Sequence, residues 1–277
     1  YARPLGPFVG APVAMPAPVG SAADAPQAAA PSVAAAAATA EMADAVAVIG
    51  FHGRFPQASD PEALWALLAS GRDAITEVPP ERWSLADYHS SERGAAGKTY
   101  NRWGGFLADV DRFDAGFFRV PPREAELIDP QERLFLETAW HTVEDAGYAR
   151  AELRGRPVGV FVGSMYSQYQ LVGLEASAPG RLVPVNASQA SIANRVSYWF
   201  DWSGPSLALD SMCSSALTAL HLACASLRRG ECELALAGGV NLSLHPAKDV
   251  GLAQGGFAAA DGRCKSFGAG GDGYVPG

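Results

Sequence analysis

The chain has no run rich in lysine or arginine, and its 21 basic residues are outnumbered by 29 acidic ones. The net charge of −8 and pI near 5.1 offer little to a phosphate backbone, so nucleic acid is excluded as the expected partner. Also missing is any unbroken apolar stretch of about 18 residues, which predicts no transmembrane helix and no membrane partner. Cysteine is scarce. Cys213, Cys224, Cys232 and Cys264 are spaced by 11, 8 and 32 residues, with no C-x-x-C. That pattern is neither a disulfide scaffold nor a zinc site, so no metal is expected and a reducing, cytoplasmic setting fits best. The glycine-rich stretch Phe267-Gly-Ala-Gly-Gly-Asp-Gly-Tyr274 lacks the G-K-[ST] ending of a phosphate loop. It reads as a tight turn with close backbone packing.

What the chain does hold is apolar material, 48% of its 277 residues, enough for a sizeable core. Residues 1–43 are different: 17 Ala and 7 Pro against three charged residues, Arg3, Asp24 and Glu41. Seven prolines forbid a continuous helix, and small side chains bury too little area to offset ordering entropy. This segment reads as a disordered interdomain linker, with residues 44–277 forming the folded part. A chain that opens on Tyr1 and stops inside a glycine-rich run reads as a piece of a longer polypeptide.

The folded part alternates strand and helix signals. Ala45–Gly50 is a short apolar run ended by glycine, which predicts a buried strand. Asp60-Pro61-Glu62 and Asp129-Pro130-Gln131-Glu132 each place Asp at an N-cap and Pro at the first helical position, with Gly71 and Gly147 past the ends. Glu132, three residues after its cap, fits a capping box. Pro157–Gly163, Leu207–Leu209 and Glu233–Val240 read as strands; Asn186–Phe200 and Ser214–Arg229 read as helices. Strands apolar on both faces, alternating with helices, indicate an α/β fold with a covered sheet.

The chemistry concentrates at Leu207-Ala-Leu-Asp-Ser-Met-Cys213-Ser-Ser-Ala. A strand ends, a short turn follows, and a helix begins at or just after Cys213, as in a nucleophile elbow with Cys replacing Ser. Free N–H groups and the positive end of the helix dipole stabilise a thiolate, the attacking species, and can bind the oxyanion formed from a thioester. Small Ser214, Ser215 and Ala216 leave room for a substrate. The rival reading makes Cys213 a small buried packing residue. Cys224 and Cys232 read as structural, while Cys264 has Lys265 beside it as a potential activator.

A general base is harder to find. His221 lies eight residues after Cys213 on the same helix, about 12 Å along its axis. His52 and His89 fall in loops, and His141 lies within a helix. His245, after a strand and before Pro246, is the least implausible local candidate, which would make the chain a stand-alone cysteine acyltransferase or thioesterase.

The run from Asp210-Ser-Met-Cys213-Ser-Ser-Ala-Leu-Thr through Ala-Leu-Ala-Gly-Gly-Val-Asn241 resembles the active-site segment of β-ketoacyl synthase domains in modular polyketide synthases. Ala47-Val-Ile-Gly-Phe-His-Gly-Arg-Phe-Pro56, Asp129-Pro-Gln-Glu-Arg-Leu-Phe-Leu-Glu137, Asn194-Arg-Val-Ser-Tyr198, Asp261-Gly-Arg-Cys-Lys-Ser-Phe267 and Asp272-Gly-Tyr-Val-Pro276 agree. Met212 and the Gly-Asp-Gly-Tyr-Val-Pro ending look most like ketosynthases whose acyltransferase acts in trans. The resemblance implies a thiolase-like fold of α-β-α-β-α layers, here mainly its N-terminal half, and a homodimer in the complete domain. It implies that Cys213 takes an acyl chain from the phosphopantetheine arm of an acyl carrier protein, no cofactor being bound directly. A malonyl-type extender then loses CO2 and condenses with that chain, with the Cys213 N–H as half of the oxyanion hole. The family's two catalytic histidines, in an H-G-T-G-T-like and a G-H motif, and its Phe-Gly-Gly loop do not occur here. The resemblance therefore implies a fragment that at most is acylated and that exposes a sheet face meant for the second half. The alternative is a non-catalytic half-domain that docks a carrier protein or a partner polypeptide.

Overall fold

A computed structural model of the chain describes residues 45–277. The linker expected over residues 1–43 lies outside the described residues. The central sheet has three parallel strands, β3 (Val158–Gly163), β4 (Ser206–Leu209) and β5 (Leu234–Gly239), in the order β4-β3-β5. Register runs Val160 opposite Ser206 and Val158 opposite Leu234. Ahead of it a short antiparallel pair joins β1 (Thr76–Glu77) to β2 (Trp103–Gly104).

Period-two alternation divides the two faces of the sheet. Val158, Val160 and Val162 point into one cluster with Leu234 and Leu236, covered by α4 (Pro130–Asp145) and α7 (Gln189–Phe200). Phe161, Ala235 and Ala237 point the other way, against Ala219 and Ala223 of α8 (Ser215–Arg228). The α8 face is paved with small residues, so the helix comes very close: a Cβ on Gly163 would lie 2.5 Å from Ala216 N. The smaller helices are α1 (Pro61–Ala69), α2 (Leu85–Tyr88), α3 (Pro122–Ala125), α5 (Arg150–Leu153), α6 (Tyr169–Glu175) and α9 (Pro246–Gln254).

Three expectations need correction. Residues 45–50 form no strand, and Val48 is 82% exposed. The segment is held by the end of α4 instead: Phe51 N donates to Asp145 Oδ2 at 2.7 Å, and Gly50 abuts Thr142 and Ala146. A cavity of about 300 Å³ lies between residues 50–55 and the edge of β5, whereas pairing needs strands about 4.8 Å apart. Second, the sheet face toward α8 is exposed only in part, because the helix packs on β3 and β5 and leaves Leu207 of β4 open. The outer side of α8 is itself apolar and uncovered, with Leu217 73% and Leu220 48% exposed, beside Leu207 on the edge strand β4.

Third, Glu132 makes no capping box. Asp129 caps α4 by accepting from Gln131 N at 2.8 Å. Glu132 is fully buried and pairs with Arg195 Nε of α7, with Asn186 Nδ2 at 3.3 Å. Burial pushes its carboxyl above the usual range, and Arg195 offsets only part of that rise. Arg195 also reaches Glu124 at 3.1 Å, tying α3, α4 and α7 together. Removing the cation strands a buried carboxylate, so Arg195→Ala is expected to cost about 3–5 kcal/mol, read as a lowered denaturant midpoint. A change below about 1 kcal/mol would show that the pair does not hold these helices together.

Candidate active site

The parallel strands all end on one side, and the crevice outside the carboxyl ends of such strands is where α/β proteins place their chemistry. Residues 164–166 follow β3, residues 210–213 follow β4, and residues 240–243 follow β5. Glutamines, Gln131 and Gln168 buried and Gln189 half-buried, fasten these loops in place. Gln131 Nε2 donates to Tyr166 O at 2.8 Å, and its Oε1 accepts from Leu242 N at 3.1 Å. Gln189 Nε2 donates to Ser164 O at 2.9 Å, and Gln168 Oε1 accepts from Leu244 N at 2.9 Å.

Cys213 lies in the turn between β4 and α8, one residue before the helix cap Ser214. It is exposed, which removes the buried-packing reading. The residue before it, Met212, has φ of +61°, a left-handed conformation that a residue with a side chain adopts at a cost of about 1–2 kcal/mol. A mesh of short hydrogen bonds holds the turn there. Met212 N donates to Asp210 Oδ1 at 2.8 Å, Ser215 Oγ donates to Met212 O at 2.6 Å, and Ser211 N donates to Ser215 Oγ at 3.0 Å. Ser214 Oγ donates to Ser211 O at 2.8 Å, and Ser211 Oγ meets Thr218 Oγ1 at 2.9 Å. Ser214 and Ser215 therefore brace the elbow, beyond leaving room beside it.

The other cysteines separate cleanly. Cys232 is buried against Ser226 Oγ, and Cys224 is half-buried within α8. Cys264 is exposed, but its sulfur accepts from Val275 N at 3.2 Å. Lys265 is engaged by Asp261 at 2.9 Å and Asp272 at 3.0 Å, and its positive charge is committed to them.

None of the five histidines hydrogen-bonds to Cys213 among the described residues. His245 has both ring nitrogens occupied: Nδ1 accepts from Ala247 N at 3.1 Å, and Nε2 donates to Glu175 at 2.8 Å. It caps α9 and cannot serve as the local base. His52 packs against His141 with ring centroids 4.8 Å apart; burial, then the His141 charge, lowers its pKa.

Four residues that sequence reasoning did not select act electrostatically on one another, two of them also feeling Cys213. The hydroxyls of Tyr166 and Tyr274 are both pushed up, first by burial and then by neighbouring negative charge, Cys213 and Asp249 included. Lys248 Nζ lies 5.0 Å from the Tyr166 ring centroid and donates to Asn241 Oδ1, Ser243 Oγ and Gly277 O. Burial lowers its pKa to about 8 and raises that of Asp249 to about 6. A Lys-Asp dipeptide on a short helix looks like a solvated face, so only their burial could have drawn notice. Among the described residues no cluster of His, Cys, Asp and Glu could hold a metal ion, and no helix is long and apolar enough to cross a membrane.

The parallel sheet delivers an exposed cysteine on a strained strand–turn–helix elbow, the geometry of a nucleophile elbow. The chain belongs to the β-ketoacyl synthase family: the profile of "Beta-ketoacyl synthase, N-terminal domain" matches residues 43–277. It is 62% identical over 245 residues to polyketide synthase ThaG of Burkholderia thailandensis, covering 88% of this chain and 4% of that one. It is 55% identical over 239 residues to polyketide synthase PksL of Bacillus subtilis, covering 84% and 5%. Among solved structures, the oxazolomycin ketosynthase domain OzmH KS7 of Streptomyces albus JA3453 superposes with a TM-score of 0.80 at 55% identity. The match covers 83% of this chain and 40% of that one. The ketosynthase from module 6 of the bacillaene synthase of Bacillus subtilis gives 0.73 at 35% identity, over 83% and 38%. The fold is thus thiolase-like, and the chain spans about two fifths of a solved ketosynthase chain and a small part of the synthases it matches.

Two outcomes follow from this geometry. Met212→Val puts a β-branched residue at positive φ and is expected to destabilise the fold by at least about 1 kcal/mol, whereas Met212→Gly is tolerated; thermal melting distinguishes them. Asp249 binds its proton more tightly folded than unfolded, so its contribution to stability falls as pH rises from 3.8 through about 6. Asp249→Asn should remove that slope from melting temperatures measured at pH 4 to 7; an unchanged slope would place the titration elsewhere.

Proposed function

We propose that Cys213 is the acyl-accepting nucleophile of a polyketide synthase ketosynthase, an acyltransferase of the 3-oxoacyl-[acyl-carrier-protein] synthase type. The observation that carries this reading is the exposed thiol on the braced elbow before α8. The thiolate attacks the carbonyl of an acyl thioester presented on the phosphopantetheine of an acyl carrier protein. A carbon–sulfur bond to Cys213 forms, and the tetrahedral oxyanion is held by backbone N–H donors, the Cys213 N–H among them. The bond to the carrier's sulfur breaks, and the electron pair leaves with that thiolate. In the second half-reaction a malonyl-type extender loses CO2, its carbanion bonds to the acyl carbonyl carbon, and Cys213 departs as the thiolate.

The likeness to PksL and to the bacillaene ketosynthase supports the subtype in which the acyltransferase acts in trans. In this reading the condensation step uses the family's two histidines, whose H-G-T-G-T-like and G-H motifs do not occur in this sequence. The free outer edge of β4, with Leu207 47% exposed, suits the homodimer of the complete domain. The uncovered side of α8 favours a second reading as well, in which the same piece packs against a further polypeptide segment.

Loading is the direct test. The synthase carrying this chain, incubated with a pantetheine-linked acyl thioester, should gain one acyl mass at the peptide containing Cys213. Cys213→Ala should abolish that gain. Persistent loading in the variant would mean that another residue is the nucleophile.

A further inference from the structure

Two arginines, Arg82 and Arg133, line a cavity of about 700 Å³ bounded by residues 81–112, the start of α4, and residues from α6 and the start of α9. Arg82 is half-buried, and Arg133 is only 8% exposed, with its Nε–H buried and without a partner. Among the described residues neither guanidinium forms an ion pair. Their bonds go to backbone carbonyls instead: Arg82 donates from Nη1 to Ser243 O at 3.1 Å and from Nη2 to Leu107 O, and Arg133 donates from Nη1 to Asp111 O at 3.2 Å. Trp83, whose Nε1–H is likewise buried without a partner, lines the same cavity. Withdrawing a cation from water is costly unless an anion pairs with it, and the forked donors of a guanidinium match an oxyanion. Two such groups on one cavity, neither of them paired, form a receptor for an anion.

The protein's own acids do not fill that role. Glu81, Asp87, Asp109, Asp111 and Glu175 touch the cavity, but all are exposed. Asp109 is taken by Arg112 at 3.1 Å and Glu175 by His245 at 2.8 Å. Glu81 and Asp111 act on Arg82 without bonding to it, and burial outweighs them, lowering its pKa. These exposed acids restrict the ligand instead. A single negative charge is offset by the two arginines, whereas a second one is repelled by the carboxylates around it. Leu107, Val172, Leu244 and Pro246 complete the lining and suit an apolar body.

We propose that this cavity binds a free monocarboxylic acid with an apolar body, its carboxylate held by Arg82 and Arg133. An acyl thioester carries no such anion, so the site takes the free acid and not the thioester. The inference does not depend on the reading of Cys213.

The test is calorimetric titration of the full 277-residue chain with hexanoate, hexanamide, adipate and inorganic phosphate. Hexanoate should give saturable binding. Hexanamide, which lacks the charge, and adipate, which carries two, should each bind about tenfold or more weakly, and phosphate should not compete with hexanoate. Arg82→Met should weaken hexanoate about tenfold or more and abolish the preference over hexanamide. Absence of hexanoate binding, equal binding of hexanamide, or unchanged hexanoate binding in Arg82→Met would overturn the proposal. Adipate or phosphate binding as tightly as hexanoate would overturn the assignment to monocarboxylates. If Arg82→Met does not fold, the order of the four ligands on the wild-type chain decides alone.

Discussion

The close seating of α8 on the sheet is the constraint from which the site follows. The strands beneath it offer Gly159, Gly163, Ala235, Ala237 and Gly239 on that face, and at Gly163 and Gly239 even one added carbon would crowd Ala216. Because the helix start is pressed onto the strand ends, the connection from β4 must turn sharply within a few residues. Met212 takes the left-handed conformation that the turn requires, and the Ser211, Ser214, Ser215 and Thr218 hydroxyls hold it there. An exposed thiol at the mouth of a helix is the result, with its position set by packing rather than by any partner of its own.

The opposite face of the sheet supplies rigidity by different means. Bulky Val158, Val160 and Val162 meet α4 and α7, and an aromatic set around Trp140, Trp199 and Phe200 seals the far side. Through this layer run the Glu132–Arg195 pair and the glutamine bonds to the loops after β3 and β5. Such buried polar groups are weak evidence for stability, but each fixes one arrangement of backbone segments distant in sequence. The loops that frame Cys213 are therefore anchored from behind by residues of a motif, Asp129-Pro-Gln-Glu, whose local role is only to start a helix.

Surface chemistry separates into two kinds. At the carboxyl ends of the strands the chemistry is polar, with Tyr166 and Tyr274 feeling the Cys213 charge and Lys248 over the Tyr166 ring. The outer side of α8 is apolar, with Leu217 and Leu220 facing outward from a helix whose other side is buried. One helix thus has the exposed thiol just before its start and an exposed apolar strip along its length.

Local sequence determined most of the framework. Cap and breaker residues placed α1, α4 and α8 to within a residue or two, and apolar runs placed the three strands of the sheet. The elbow was legible because strand, turn and helix are contiguous. Only the tertiary structure decided the rest. Ala45–Gly50 has a strand's composition, but a strand exists only where an edge is available, and α4 holds this segment away from β5. Glu132 could cap its own helix, yet Arg195, 63 residues away, satisfies it in the interior. Lys248 lies over the Tyr166 ring because the chain returns there after β5, a property of folding in space that no spacing along the sequence records.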